Sequence, residues 1–92
     1  MYGALGQDHT AEIAKVVTAI LTRERQRQGI SHETLAGLAG VHRSTVSRTE
    51  SGQMNPTFLV IHAMSTALGL EFSVVLAEAE SRVARGRKPG RG

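Results

Sequence analysis

Residues 30–52, ISHETLAGLAGVHRSTVSRTESG, contain two short segments of helical pattern with a glycine between them. Ala36 is small, Gly40 follows it at the turn, and the β-branched Val46 comes soon after. Two helices that cross at about 90–120° tolerate no bulk at the crossing, so this order of residue types suits such a corner. The spacing therefore predicts a helix-turn-helix, with Val41 and Val46 filling the inside of the corner.

Helical patterns and capping residues continue on both sides of this motif. Ser31 caps its first helix, and its second helix runs from about residue 43 to residue 51. The apolar residues of 11–28 recur at helical spacing and predict one long helix, with Thr10 as its N-cap. Thr57 caps a fourth helix. Its inward side would consist of Phe58, Ile61, Met64, Ala67 and Leu68, with Leu59, Val60 and Ala63 off that stripe.

Residues 70–76 are compatible with either a strand or a helix. A strand would place Phe72, Val74 and Leu76 on one face. A helix would instead align Phe72, Val75, Leu76 and Ala79. No capping residue follows Gly69 and two valines are adjacent, which favours the strand. A single strand in a helical domain has no ladder partner, so we expect it to pair with the same strand of a second subunit.

The composition describes one small domain. The chain has 92 residues and no cysteine, which excludes disulfides and cysteine-ligated metal sites and fits a reducing cytoplasm. No apolar run approaches the ~20 residues of a membrane helix, and residues 1–10 lack the features of a signal peptide. We therefore expect a cytoplasmic protein, and not a secreted knot, a membrane span or a large enzyme.

Catalytic and metal-binding patterns are not found in the sequence. The histidines do not have metal-ligand spacing, and no serine has an accompanying base and orienting acid. No glycine-rich phosphate loop follows a strand. We therefore expect no metal, no cofactor and no enzymatic activity. The four histidines are His9, His32, His42 and His62.

The net charge of +3 is unevenly distributed. Residues 1–80 carry a net charge of −2, whereas residues 81–92 contain five basic and no acidic residues. We expect a flexible N-terminus at residues 1–9, a domain at residues 10–81 and a basic, disordered tail at residues 82–92. Any nucleic-acid interface on the domain must therefore depend on local positive charge.

The sequence resembles the helix-turn-helix of phage Cro and repressor proteins, the xenobiotic-response-element type. The resemblance is carried by residues 30–52, by Asn55-Pro56 and by Ala67-Leu68-Gly69, and it extends over about residues 12–70. It implies an all-α, lambda-repressor-like domain of four to five helices that dimerises. A short C-terminal strand at residues 70–76 would pair across that dimer.

The resemblance also implies a function on double-stranded DNA. The first hypothesis is a sequence-specific transcription regulator, a homodimeric repressor that reads a palindromic operator. The second is an antitoxin that neutralises a toxin through its surface or tail and represses its own operon with the same helix. Glu71 replaces the usual capping serine of a fifth helix and points to a strand, as in the subgroup that pairs with kinase-type toxins. The third is a nucleoid-type protein that coats AT-rich DNA through its tail.

One polar face of the third helix is the candidate base reader. Since Val46 points inward, the opposite face of the helix points away from the core. Arginine donates two hydrogen bonds to guanine O6 and N7, which suits the major groove. The alternative is an ordinary solvated face. The base-reading candidates are Arg43, Ser44, Ser47 and Arg48.

Phosphate contacts are predicted around the starts of the second and third helices, where free backbone N–H groups attract anions. His32 replaces a glutamine that contacts the backbone in the family, and His42 replaces the usual Ser or Thr cap, which weakens the cap. The alternative for His32 is a surface histidine without a role. The candidates are Arg25, Ser31, His32, His42 and Thr45.

Two further positions are interpreted through the resemblance. The residues that match Arg25 and Glu50 form an ion pair between the first and third helices, which we expect to be exposed and to contribute less than ~1 kcal/mol. Thr49 occupies a position where the family prefers a large apolar residue, so weaker packing is expected beneath the third helix.

The last predictions concern a dimer surface and the tail. Leu59, together with the strand residues Phe72, Val74 and Leu76, would form the dimer contact, although single exposed apolar residues are common. Residues 85–89, RGRKP, resemble an AT-hook, in which Arg85 and Arg87 would lie in the minor groove. Lys88 interrupts that motif, and a solubilising tail is the alternative.

Overall fold

Five helices form the part of the chain that the computed structural model describes, residues 3–86, with side chains described from residue 8 onward. The all-α prediction of four to five helices is confirmed. The helices are α1 (Gly3–Gln28), α2 (His32–Ala39), α3 (Arg43–Ser51), α4 (Phe58–Ala67) and α5 (Phe72–Gly86).

The caps predicted for α2 and for α4 are present. The Ser31 hydroxyl accepts a hydrogen bond from the Thr34 backbone N–H at 3.0 Å, and the Thr57 hydroxyl accepts one from the Val60 N–H at 3.2 Å. Gly40 ends α2 with φ 74°, and its N–H donates to the Ala36 carbonyl. A left-handed residue at this position turns the chain between α2 and α3, and only glycine adopts these angles without a steric cost.

The core lies where all five helices meet. α1 packs along α5, and α2 packs against both α3 and α4. Val46 is fully buried, as the corner pattern predicted, while Val41 is only partly buried against the core. The core comprises Val17, Leu21, Leu35, Ala36, Val46, Val60, Met64, Leu68, Val75 and Ala79.

The strand predicted at residues 70–76 is wrong, because these residues enter α5. Val75, Ala79 and Val83 are buried at a spacing of four residues, which fits one stripe of a helix and not the alternation of a strand. The Glu71 carbonyl accepts from the N–H groups of Val74 and Val75 and begins the helix without a capping side chain. The helix cost of adjacent valines is only a few tenths of a kcal/mol each, less than the gain from burying this stripe.

The inward side of α4 differs from the predicted stripe. Phe58 is 66% exposed, whereas Val60 is only 8% exposed and belongs to the core. The buried residues on this side are Val60, Met64 and Leu68, which are spaced four residues apart. Met64 and Leu68 were predicted to point inward, and Val60 was not. Ser65 is also buried, because its hydroxyl donates to the Ile61 carbonyl at 2.8 Å and so keeps a partner.

The outer helices extend beyond the predicted boundaries. α1 begins at Gly3, so Thr10 is not its N-cap and residues 3–9 are helical, although we expected them to be flexible. Glycine weakens a helix by about 1 kcal/mol but does not end it as proline does. α5 includes residues 82–86, which we assigned to the tail, because Val83 is buried and Arg82 pairs with Glu78 one turn earlier. The remainder of the tail lies outside the described residues.

Thr49 lies buried beneath α3, at the position where the sequence predicted weaker packing than a large apolar residue would give. Its side chain is 1% exposed, and its hydroxyl oxygen has no hydrogen-bond partner among the described residues. A buried hydroxyl without a partner costs about 1–3 kcal/mol relative to an apolar group of the same shape. The position thus accepts the size of threonine but not its polarity.

We expect Thr49→Val to raise the free energy of unfolding by about 1 kcal/mol, because valine keeps the shape and removes the unpaired hydroxyl. Urea denaturation followed by circular dichroism measures the change. Thr66→Val, at an exposed position of α4, is the matched control and should leave the midpoint unchanged. A lower midpoint for Thr49→Val would contradict the assignment of Thr49 as a destabilising residue.

Candidate nucleic-acid interface

The exposed face of α3 carries the predicted base readers. Arg43, Ser44 and Arg48 are exposed, and Ser47 is half-buried beside them. Val46 and Thr49 occupy the opposite, buried side of the helix. Neither Arg43 nor Arg48 has a side-chain ion pair or hydrogen bond within the described part of the chain. Both guanidinium groups are therefore free to bind an external ligand.

The start of α3 is open to an anion. His42 is the N-cap residue, but its side chain makes no capping hydrogen bond, which confirms the weak cap that the sequence predicted. Its carbonyl accepts from the N–H groups of Thr45 and Val46. The preceding N–H groups of α3 keep the partial positive charge of a helix N-terminus. His42 is exposed there, and Thr45 is half-buried.

An ion pair joins α1 to the end of α3, as the resemblance implied. Arg25 donates from Nε to Glu50 Oε2 at 2.7 Å and from Nη2 to Oε1 at 3.0 Å. Its Nη1 donates to the Ile30 carbonyl at 2.8 Å, so the same side chain also holds the turn before α2. The expectation of an exposed pair is wrong, because the side chains of Arg25 and Glu50 are only 13% and 7% exposed.

His32 extends this pair into a cluster of three side chains, which we name the Glu50 cluster: Arg25, His32 and Glu50. The imidazole Nε2 lies 2.9 Å from Glu50 Oε1, and the ring is 32% exposed. Burial raises the pKa of Glu50, but the hydrogen bonds and charges of Arg25 and His32 outweigh it and hold the pKa below its usual value. Glu50 is therefore an ionised carboxylate at neutral pH.

The His32–Glu50 contact was missed in the sequence. The two residues are 18 positions apart, and no periodicity links a residue at the start of one helix to a residue at the end of the next. The only signal was the Arg25–Glu50 pair of the family, which places a carboxylate near the start of α2. His32 therefore contacts a residue of α3, and it also lies where a phosphate at the start of α2 would bind.

Ser31 has a structural task at the same helix start. Its hydroxyl accepts from the Thr34 N–H and lies 3.1 Å from the Thr34 hydroxyl. The residue is exposed, and α2 begins immediately after it. The N–H groups of His32 and Glu33 at the start of α2 are thus open for an anion.

Several apolar side chains of α4 and α5 are exposed. Leu59 is 76% exposed and Val74 is 61% exposed, while Phe72 and Leu76 are half-buried against the core. The ring of Phe58 packs edge-on against Phe72, with centroids 5.6 Å apart. We name Phe58, Leu59, Phe72 and Val74 the α4–α5 apolar residues. Of the four predicted dimer residues, Leu59 and Val74 are exposed, and Phe72 and Leu76 are half-buried.

Of the two predicted minor-groove arginines, only Arg85 lies within the described residues. Arg85 lies on α5, where its Nη1 is 2.7 Å from the Ser81 hydroxyl and its Nη2 is 3.9 Å from Glu78 Oε2. Arg85 is thus part of a helix. Arg87 lies outside the described residues.

Residues 3–86 contain neither a cluster of metal ligands nor a single helix that could span a membrane. No three His, Asp or Glu side chains lie close enough to hold a metal ion. No single helix is long and apolar enough to span a bilayer, and α4 and α5 meet that criterion only as a pair bent by 111°.

The corner of α2 and α3, its plug at Val46 and the exposed face of α3 define a helix-turn-helix domain. A helix-turn-helix family model matches residues 21–75, more than half of the chain. The chain belongs to this helix-turn-helix family, and the resemblance to the Cro and repressor type is confirmed.

Proteins of similar sequence are named as transcriptional regulators. "Transcriptional regulator ClgR" of Mycobacterium tuberculosis strains CDC 1551 and H37Rv is 35% identical over 75 residues, which cover 82% of this chain and 67% of that protein. An "Uncharacterized HTH-type transcriptional regulator" of Methanothermobacter thermautotrophicus is 33% identical over 52 residues, which cover 56% of this chain and 75% of that protein. No solved structure matches the chain significantly.

Proposed function

We propose that this protein is a sequence-specific DNA-binding transcription regulator that reads base edges with α3. The observation that carries the proposal is the exposed face of α3 in a helix-turn-helix corner, with two arginine side chains free of partners. Arg43, Ser44, Ser47 and Arg48 face the major groove, where each bidentate arginine discriminates against a wrong base by about 1–3 kcal/mol. The protein acts in the cytoplasm, on the nucleoid, and needs no cofactor.

Phosphate contacts fix α3 in the groove. The open N–H groups at the starts of α2 and α3 bind phosphates on either side of the groove, with Ser31, His32, His42 and Thr45 around them. Arg25 does not contact phosphate itself, because its guanidinium already donates to Glu50 and to the Ile30 carbonyl. Its part in binding is to hold α3 at a fixed angle to α1.

The regulator binds as a homodimer through α4 and α5. Exposed apolar side chains on two adjacent helices favour a second copy of this chain as the partner, in a symmetric contact. Two copies would present their α3 helices to half-sites about 34 Å apart, so the operator is a palindrome. Repression follows when the dimer covers a promoter.

We expect Leu59→Asp to convert the dimer to a monomer without loss of folding. The same residue is lost from both halves of a symmetric contact, so at least about 3 kcal/mol is removed and the dimer weakens about a hundredfold or more. Sedimentation equilibrium measures the change. Leu38→Asp, at another exposed leucine on α2, is the matched control and should leave the dimer intact. A Leu59→Asp protein that still dimerises would exclude this surface.

Selection from random duplex DNA tests the function. It is performed with the full chain and with residues 1–86, a truncation that keeps the whole of α5 and its buried Val83. A palindromic consensus common to both proteins supports reading by α3. Enrichment of AT-rich DNA that disappears on truncation would instead make the tail the reader and support the coating hypothesis. If neither protein enriches any sequence, the proposed function is wrong.

The antitoxin hypothesis has lost its main support. It depended on a C-terminal strand that closes a dimer, and residues 72–86 form α5. We therefore propose the regulator alone. Capture of a stoichiometric toxin by the wild-type protein and by an Arg43→Ala, Arg48→Ala variant alike would restore the antitoxin.

A further inference from the structure

The hydrogen bond between His32 and Glu50 determines which ring nitrogen carries the proton. Glu50 is ionised, since its hydrogen bonds lower its pKa, and an ionised carboxylate only accepts hydrogen bonds. The 2.9 Å contact of His32 Nε2 with Glu50 Oε1 is therefore an N–H that donates to oxygen. In the neutral ring with this tautomer, Nδ1 has a lone pair and no proton.

A neutral His32 held in this way is unsuited to a DNA phosphate. Phosphate oxygens are acceptors, and so is the unprotonated Nδ1, so the two atoms repel each other. The imidazolium form donates from both nitrogens and bridges Glu50 on one side and a phosphate on the other. Within the described part of the chain Nδ1 has no hydrogen-bond partner, and the ring is 32% exposed at the first residue of α2.

We propose that His32 binds a DNA backbone phosphate only as the imidazolium, so that DNA binding takes up one proton at this ring. The proposal rests on the proposed function, because it requires that DNA approaches the start of α2. It deepens that function by adding regulation: affinity for DNA depends on pH through one named side chain. The glutamine of the family at this position has no such dependence, because its amide does not titrate.

Charged side chains surround His32 on three helices, α1, α2 and α3. Glu50 on α3 is in direct contact, and Glu33 is the next residue on α2. Arg25 on α1 opposes the charge but is held by two bonds to the same carboxylate. α4 carries no charged side chain, and its one titratable group, His62, packs against phenylalanine rings. A phosphate would add a further negative charge beside the ring.

The sign of the pH dependence follows from the proton count. The complex holds one more proton than the free protein and free DNA, so affinity falls as pH rises through the range in which histidine loses its charge. A single proton limits the change to at most about tenfold per pH unit. We expect DNA binding to weaken about tenfold between about pH 5.5 and about pH 8.

The test is fluorescence anisotropy with one fixed duplex of mixed sequence, at constant ionic strength across this pH range. Three proteins are compared: the wild type, His32→Gln and His9→Gln. Glutamine at residue 32 still donates to Glu50 or to a phosphate but does not titrate, so its affinity at high pH should match or exceed that of the wild type. His9 is exposed on α1, so His9→Gln should retain the full pH dependence.

His42 is also a predicted phosphate contact, so the decisive quantity is the difference in slope between the wild type and His32→Gln. Equal slopes in these two proteins would overturn the proposal and leave the proposed function intact. If the wild type binds the duplex at no pH, both fail. A second measurement does not depend on the variant: calorimetry of wild-type binding in two buffers of different ionisation enthalpy should show net proton uptake, and zero uptake would overturn the proposal.

Discussion

Glu50→Ala lowers the free energy of unfolding by about 3 kcal/mol at neutral pH, which is near the lower end of the range for breaking a buried ion pair. The substitution removes the acceptor of three N–H groups, two from Arg25 and one from His32. Arg25 then keeps its charge in a place where its side chain is only 13% exposed, with the Ile30 carbonyl as its remaining partner. α1, α2 and α3 lose their common contact at the same time.

Chemical denaturation at neutral pH measures the loss, and two variants separate its causes. Glu50→Gln keeps an acceptor and removes the charge, so it should lie between the wild type and Glu50→Ala. The double variant Arg25→Met, Glu50→Leu should recover much of the stability, because an apolar pair leaves no unpaired charge. Glu78→Ala, which breaks the exposed pair with Arg82 on α5, is the control and should change the midpoint little. A small effect of Glu50→Ala would mean that the cluster is not a structural support.

The same ion pair gives a stability that depends on pH. The folded pKa of Glu50 lies below its usual value of 4.5, so its contribution is fully present above 4.5 and is lost as pH falls through the folded value. The difference in unfolding free energy between the wild type and Glu50→Gln should therefore shrink in acid. A difference that stays constant down to the acid transition would contradict the lowered pKa.

Much of the fold could be predicted from the sequence because short-range signals determine it. Ser31 and Thr57 cap the helices that they precede, and glycine turns the chain at residue 40. Each of these signals acts within one turn of helix, so the sequence contains them directly. The exposed face of α3 followed from the same logic, because a buried Val46 leaves the opposite side of the helix to solvent.

The predictions were wrong where contacts between distant parts of the chain determine the structure. Within residues 70–76 alone, two adjacent valines and a missing cap favour a strand. The burial of Val75, Ala79 and Val83 along a longer segment favours a helix and outweighs them. In α4 the prediction was wrong only at Phe58, which is apolar but 66% exposed, and at Val60, which is buried. The apolar character of a residue does not by itself predict whether another helix will bury it.

The Glu50 cluster lies between these two cases. The resemblance supplied the Arg25–Glu50 pair, but its burial and its third member depend on the angle at which α2 meets α3. That angle results from packing at Ala36 and Val46 in the core, and no local pattern encodes it. The contact of His32 with Glu50 is therefore specific to this protein, in which a histidine replaces the glutamine that the family often has.

Arg43→Ala and Arg48→Ala each reduce the preference for the selected operator over a scrambled duplex by about tenfold to about a hundredfold, the equivalent of about 1–3 kcal/mol. Both side chains are exposed and have no partner within residues 3–86, so their removal leaves the midpoint of unfolding unchanged. The loss therefore reflects contacts with DNA and not a weakened fold. The double variant should bind both duplexes alike, with only the phosphate contacts remaining.

Competition binding with the two duplexes, repeated over a range of salt concentrations, measures this preference. Arg23→Ala removes the same charge from an exposed position on α1 and is the matched control, because it should preserve the ratio of affinities. The salt dependence separates base contacts from phosphate contacts, since each lost phosphate contact reduces the slope of log affinity against log salt by about one. If Arg43→Ala weakens binding to both duplexes equally and reduces that slope, Arg43 binds phosphate, and the base-reading role must be assigned to other residues of α3.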